Sequence, residues 1–98
     1  MDFSGFDWDH GNRAKCRKHG VSTETIEALF RGGVTILPDD AHSQIERRFK
    51  AIGRTDEGRM IFAVFTIRRH GGALLIRPIS ARYMHKKEVE HYEKSAKS

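Results

Sequence analysis

Leu74-Leu75-Ile76-Arg77-Pro78-Ile79-Ser80-Ala81-Arg82-Tyr83-Met84-His85-Lys86-Lys87-Glu88 decides how this 98-residue chain is read. The stretch opens as an apolar strand, carries Arg77, Ser80 and Arg82 at its far end, and turns directly into a charged helix. A strand and a helix start are the stiffest supports in a small domain, and stiffly held guanidinium forks suit phosphate oxygens. Taken alone, the same residues also describe a strand end kept soluble by its arginines. Pro78 has no N–H to give a neighbouring strand, so this strand is expected at a sheet edge or with its pairing broken there.

Upstream, Met60 to Ile67 is apolar at every position but Thr66, which marks a central strand covered on both faces. Arg69-His70-Gly71-Gly72 turns it into the first stretch. Arg47 to Arg54 alternates, with Phe49, Ala51 and Gly53 on one side and Arg48, Lys50, Ile52 and Arg54 on the other. Asp56-Glu57-Gly58 makes the intervening turn. Val34 to Leu37 is a short strand stopped by Pro38, and Ala41 to Gln44 is expected as a polar loop. Nearer the N-terminus, Phe6-Asp7-Trp8-Asp9 reads as a short strand, with Asp9 placed to cap a helix over His10 to Lys18 that closes at His19-Gly20. Ser22 caps a second helix, in which Ile26, Leu29 and Phe30 recur at helical spacing before Gly32-Gly33. His85, Val89 and Tyr92 share one face of the last helix, and residues 95–98 are expected to fray. The order predicts an α+β fold: a small antiparallel sheet with helices packed on one face and a C-terminal helix.

The net charge of +5 is lopsided. Met1 to Ile67 carries 10 Lys/Arg against 10 Asp/Glu; from Arg68 onward there are 8 against 3, so the whole excess lies in the last third. Such a field attracts nucleic acid, anionic lipid or an acidic protein, without choosing among them. A lone cysteine, Cys16, excludes an internal disulfide and fits a reducing compartment. No apolar run approaches the roughly 20 residues a membrane span needs, and the acidic start lacks the apolar core of a secretion signal. One cytoplasmic domain over residues 1–98, with its core in 6–94, is the expectation.

Six histidines show no His-x-x-x-His or Cys-x-x-Cys pair, and no glycine-rich phosphate loop is present, so no metal or cofactor is expected. Lys18-His19-Gly20 reads two ways, as a helix cap satisfying carbonyls or as a proton-moving pair beside a positive charge. The run Phe6-Asp7-Trp8-Asp9, Asn12, Lys15-Cys16 and Lys18-His19-Gly20-Val21-Ser22 resembles the opening of the BrnT toxin family. Glu46-Arg47-Arg48-Phe49 with Ile52-Gly53-Arg54, and later Ile76-Arg77-Pro78-Ile79-Ser80-Ala81-Arg82 with Glu88 and Tyr92, continue the likeness in order.

The resemblance implies a RelE-like fold and an endoribonuclease that stops translation. It also implies neutralisation by a BrnA-type antitoxin with a ribbon-helix-helix DNA-binding domain, the complex reaching operator DNA through the antitoxin. Metal-free RNA cleavage uses the 2′-hydroxyl as nucleophile. On that reading the catalytic candidates are Lys18, His19, Arg77, Ser80, Arg82 and Tyr83, and the RNA-binding candidates are Arg48, Lys50, Arg54, His85 and Lys86. Alternation puts Arg77 and Arg82 on opposite faces unless Pro78 introduces a bulge. The alternative is a basic RNA-binding or antitoxin-binding module with little or no catalysis.

Overall fold

A computed structural model describes residues 2–42 and 46–96 of the chain. β4 (Met60–His70) is the spine of a five-stranded sheet, flanked by β3 (Arg48–Arg54) and β5 (Ala73–Tyr83). β2 (Thr35–Pro38) lies outside β3, and the two-residue β1 (Gly5–Phe6) lies outside β5, giving the order β1-β5-β4-β3-β2. Pairing is antiparallel throughout except at β1, which runs parallel to β5, so the sheet is mixed. The β1 strand is shorter than its sequence suggests: Asp7 N–H still reaches the Ile76 carbonyl at 2.8 Å, but the chain then leaves the sheet to enter a helix.

Pro78 is therefore not on an edge strand. Its missing N–H is accommodated by a bulge: the register passes from Val64 opposite Ser80 to Phe65 opposite Pro78, leaving Ile79 as one extra residue. The strand pairs normally on both sides of that point.

One sheet face is closed by α1 (His10–Arg17) and α2 (Thr23–Gly32). Ile61, Ala63 and Phe65 of β4 alternate onto this face and join Ala51, Ile76 and Ala81 from the neighbouring strands. Cys16, Val21, Ile26, Leu29 and Phe30 come down from the helices to meet them. Phe30 packs edge-on against Phe65 with centroids 5.0 Å apart, and Phe49 stacks on Phe65 at 5.5 Å. Burial raises the Cys16 thiol to about 11, so it is an apolar core group and not a nucleophile. Asp9 and Ser22 cap the two helices through the N–H groups of Asn12 and Thr25.

α3 (Lys86–Ala96) takes in Ser95 and Ala96, where fraying was expected. It crosses the other face at one end, held by side-chain contacts. Arg82 grips Glu88, Arg54 meets Glu93 at 3.4 Å, and Tyr92 O–H donates to Thr35 Oγ1 at 2.8 Å. Asp40–His42 forms a turn of 3-10 helix that overlaps the loop expected from Ala41 to Gln44, whose Ser43 and Gln44 lie outside the described residues. No helix among the described residues is long and apolar enough to cross a membrane.

Candidate active site

The sheet face opposite the hydrophobic core is built in rows, with the start of α1 reaching its edge beside β5. Arg48, Thr66 and Arg77 stand side by side across β3, β4 and β5. Lys50, Val64 and Ser80 form the next row, and Ile52, Phe62 and Arg82 the third. Arg77 and Arg82 are five residues apart and would otherwise point to opposite faces; the extra residue Ile79 restores them to one. The bulge thus brings Arg77, Ser80 and Arg82 together with Arg48 and Lys50. The bonds of α3 fall on the third row and on Arg54 beyond it, so the first row stands clear of that helix.

At the first row the face opens into a shallow recess of about 370 Å³, whose lining includes Lys15, Glu46, Arg48, Arg68 and Arg77. Arg77 donates to Asp9 Oδ2 at 2.6 Å and lies 3.6 Å from Asp7 Oδ1. Asp9 is held below the usual carboxylate range, first by the N–H of Asn12 and then by Arg77; the same pair keeps Arg77 charged by raising its affinity for the proton. Glu46 Oε2 sits 2.9 Å from Arg68 Nε, yet that nitrogen has no hydrogen-bond partner, so the contact is an ion pair off the N–H direction.

Arg82 is engaged differently. Its two terminal nitrogens donate to the two Glu88 oxygens at 2.8 and 2.9 Å, and its plane lies over the Phe62 ring at 5.0 Å. Glu88 also accepts the His85 N–H at 2.9 Å, and Arg82 followed by that bond lowers its carboxyl to about 2. This clasp fixes the start of α3 to the end of β5.

The remaining candidates are scattered over the molecule. Arg54 shares this sheet face but bonds the Gly58 carbonyl and Glu93. Alternation sends Tyr83 to the helix-covered face, opposite Ile61, with the Arg59 guanidinium 3.6 Å above its ring. Lys18 and His19 are exposed at the end of α1, one helical turn beyond Lys15, and His85 and Lys86 are exposed where α3 begins. Among the described residues no three His, Cys, Asp or Glu side chains gather as a metal would require.

Asp7, Asp9, Asn12, Glu46 and Arg68 belong to the site by geometry and were not singled out from the sequence as functional. Asp9 and Asn12 do carry a signal, the three-residue spacing of a reciprocal cap, but that spacing says nothing of Arg77, which lies 68 positions away.

The sequence profile of a family described as a ribonuclease toxin, BrnT, of type II toxin–antitoxin systems matches residues 8–88. The chain belongs to the BrnT family. No curated protein matches it. The matched span holds Asp9 near one end and Glu88 at the other, so the Arg77–Asp9 and Arg82–Glu88 contacts lie within it, while Asp7 falls just before it. Membership carries a ribonuclease toxin's role and, as a type II system, an antitoxin as partner.

Proposed function

We propose that this BrnT toxin cuts RNA without a metal ion on the sheet face that carries Arg48, Lys50, Arg77, Ser80 and Arg82. One observation carries the proposal: the bulge at Ile79 turns three side chains of β5 toward the cations of β3. The 2′-hydroxyl serves as nucleophile, so the protein has to remove its proton, hold the phosphate oxygens as charge builds on them, and protonate the departing 5′-oxygen. Stabilising that charge is usually the largest catalytic contribution. Arg77 offers a stiff fork for two oxygens, Ser80 a hydroxyl donor beside it, and Arg48 and Lys50 a track for the RNA backbone. Arg82 shapes the far end of the face through its grip on α3.

Lys18 and His19 at the end of α1, and His85 just before α3, are the proton-transfer groups of this scheme, each worth on the order of 10²–10⁴-fold when in place, and Lys86 meets the RNA backbone. We further infer a BrnA-type antitoxin with a ribbon-helix-helix domain, operator binding through that antitoxin, and arrest of translation by the cleavage; membership of the BrnT family supports all three.

Purified protein with a chelator present tests the site. Lys50→Gln and Arg77→Gln are expected to slow RNA cleavage at least about tenfold while Lys87→Gln, on the exposed side of α3, stays near wild type. Equal rates for all four proteins would move the site elsewhere. RNA binding without cleavage by wild type would favour the binding-module alternative.

A further inference from the structure

Asn12 is a buried polar side chain with every strong donor in use. Only 6% of it is exposed. Its Nδ2 donates to the Pro78 carbonyl at 2.8 Å and to the Asp7 carbonyl at 3.0 Å, and its Oδ1 accepts the Asp9 N–H at 2.7 Å. Each of those backbone positions bears on Arg77. Pro78 follows it and lies at the bulge; Asp7 and Asp9 supply the two carboxylates that meet its guanidinium. An ordinary helix cap needs only the Asp9–Asn12 exchange. Of the two donations beyond it, the one to Pro78 ties the helix start to the irregular part of β5 across 66 residues of sequence, and the one to Asp7 holds the segment that leads into the helix.

We propose that Asn12 is a positioning residue for the RNA-cleaving reaction: it holds the bulge and the Asp7/Asp9 pair in register, and so fixes where the Arg77 fork points. This rests on the function proposed above. Arg77 pairs with Thr66 two residues before the bulge and next to Pro78, which has no N–H to give, so its backbone is less constrained than in a regular ladder. A carbonyl bonded to a buried amide cannot drift, because breaking the bond strands both groups away from water. Removing that amide leaves the Pro78 carbonyl without its partner and frees Asp7 and Asp9 to shift together with the arginine they hold.

The test is a double-mutant cycle with two readouts. Asn12→Ala is expected to lower kcat by about 10²-fold with little change in KM, the scale of a misplacement near 1 Å. In an Arg77→Lys background the same change is expected to lose less than about threefold, since the group it positions is gone. Val21→Ala, a buried site on the helix layer, controls for lost stability and is expected to keep its activity per folded molecule. Independently of activity, nuclear magnetic resonance of the guanidinium protons should show separate, slowly exchanging Arg77 signals in wild type and one averaged set in Asn12→Ala.

If Asn12→Ala does not fold, Asn12→Ser carries the comparison, because its hydroxyl can cap Asp9 but cannot span both carbonyls. Multiplicative losses in the two backgrounds, or unchanged Arg77 signals, overturn the positioning role. Full activity of Arg77→Lys beside a crippled Asn12→Ala would instead remove Arg77 from the mechanism, and the positioning role with it.

Discussion

Gly53→Ala is expected to destabilise the protein although alanine is the better-behaved residue in a strand. Gly53 is buried in β3 opposite Ile61, under α2, and its backbone is not in the positive-φ region that would itself demand glycine. A Cβ placed there would meet Leu29 Cδ1 at 2.8 Å, Leu29 Cγ at 3.0 Å and Val34 Cγ1 at 3.0 Å. Leu29 is 4% exposed within the core cluster, and Val34 closes on the same point, so two side chains have to shift at once. Overpacking of this kind costs about 1–3 kcal/mol. Against it, alanine restricts the unfolded chain and returns about 0.4–1 kcal/mol. The balance is a loss of up to about 2.5 kcal/mol with a centre near about 1 kcal/mol, which for a domain of this size lowers Tm by about 4–8 °C. Thermal unfolding followed by circular dichroism reads this directly. A cycle with Leu29→Ala sharpens it: that change alone costs about 2–5 kcal/mol, and less in the Gly53→Ala background, where the added methyl fills part of the vacated space. An unchanged or higher Tm for Gly53→Ala would mean that α2 does not sit on β3 at this distance, and the core packing described above would be wrong.

Other outcomes follow from the charged contacts. Glu88 is held near 2 against an ordinary value of 4.5, so its clasp on Arg82 stabilises the fold above about pH 4.5 and is lost as pH falls from there toward 2; Glu88→Gln should flatten the Tm–pH curve over that window. Arg82→Lys keeps the charge but cannot fill both Glu88 oxygens, so it should slow cleavage several-fold more than Lys18→Arg, with folding checked alongside. RNA affinity should fall about 50-fold between about 50 and 200 mM salt if four cations of the sheet face each meet a phosphate on a single strand. A flat salt response would show that binding is not through these cations.

Much of this fold was legible because its signals are local. The doubly apolar run from Met60 to Ile67, the alternation from Arg48 to Arg54, and the caps at Asp9 and Ser22 each follow from residues a few positions apart. The parallel pairing of β1 was not legible, since two residues carry no period and their partner lies 70 positions on. Pro78 announced that the β5 ladder had to be irregular, but the position of the extra residue depends on how Phe65 and the Asn12 amide meet the strand. The Arg82–Glu88 clasp spans a strand end and a helix start, six residues apart, a spacing for which neither helix nor strand geometry supplies a rule. The carboxylates at Asp7 and Asp9, and the one at Glu46, come to the cations from two segments far apart in the chain, and only the folded chain assembles them.

The most direct measurement is the chemistry of the cut ends. RNA cleaved by the purified protein in excess chelator should carry a 2′,3′-cyclic phosphate on one fragment and a 5′-hydroxyl on the other, because the nucleophile is the RNA's own 2′-hydroxyl. Fragments with a 5′-phosphate and a 3′-hydroxyl, formed only when a divalent ion is restored, would contradict metal-free cleavage on this face.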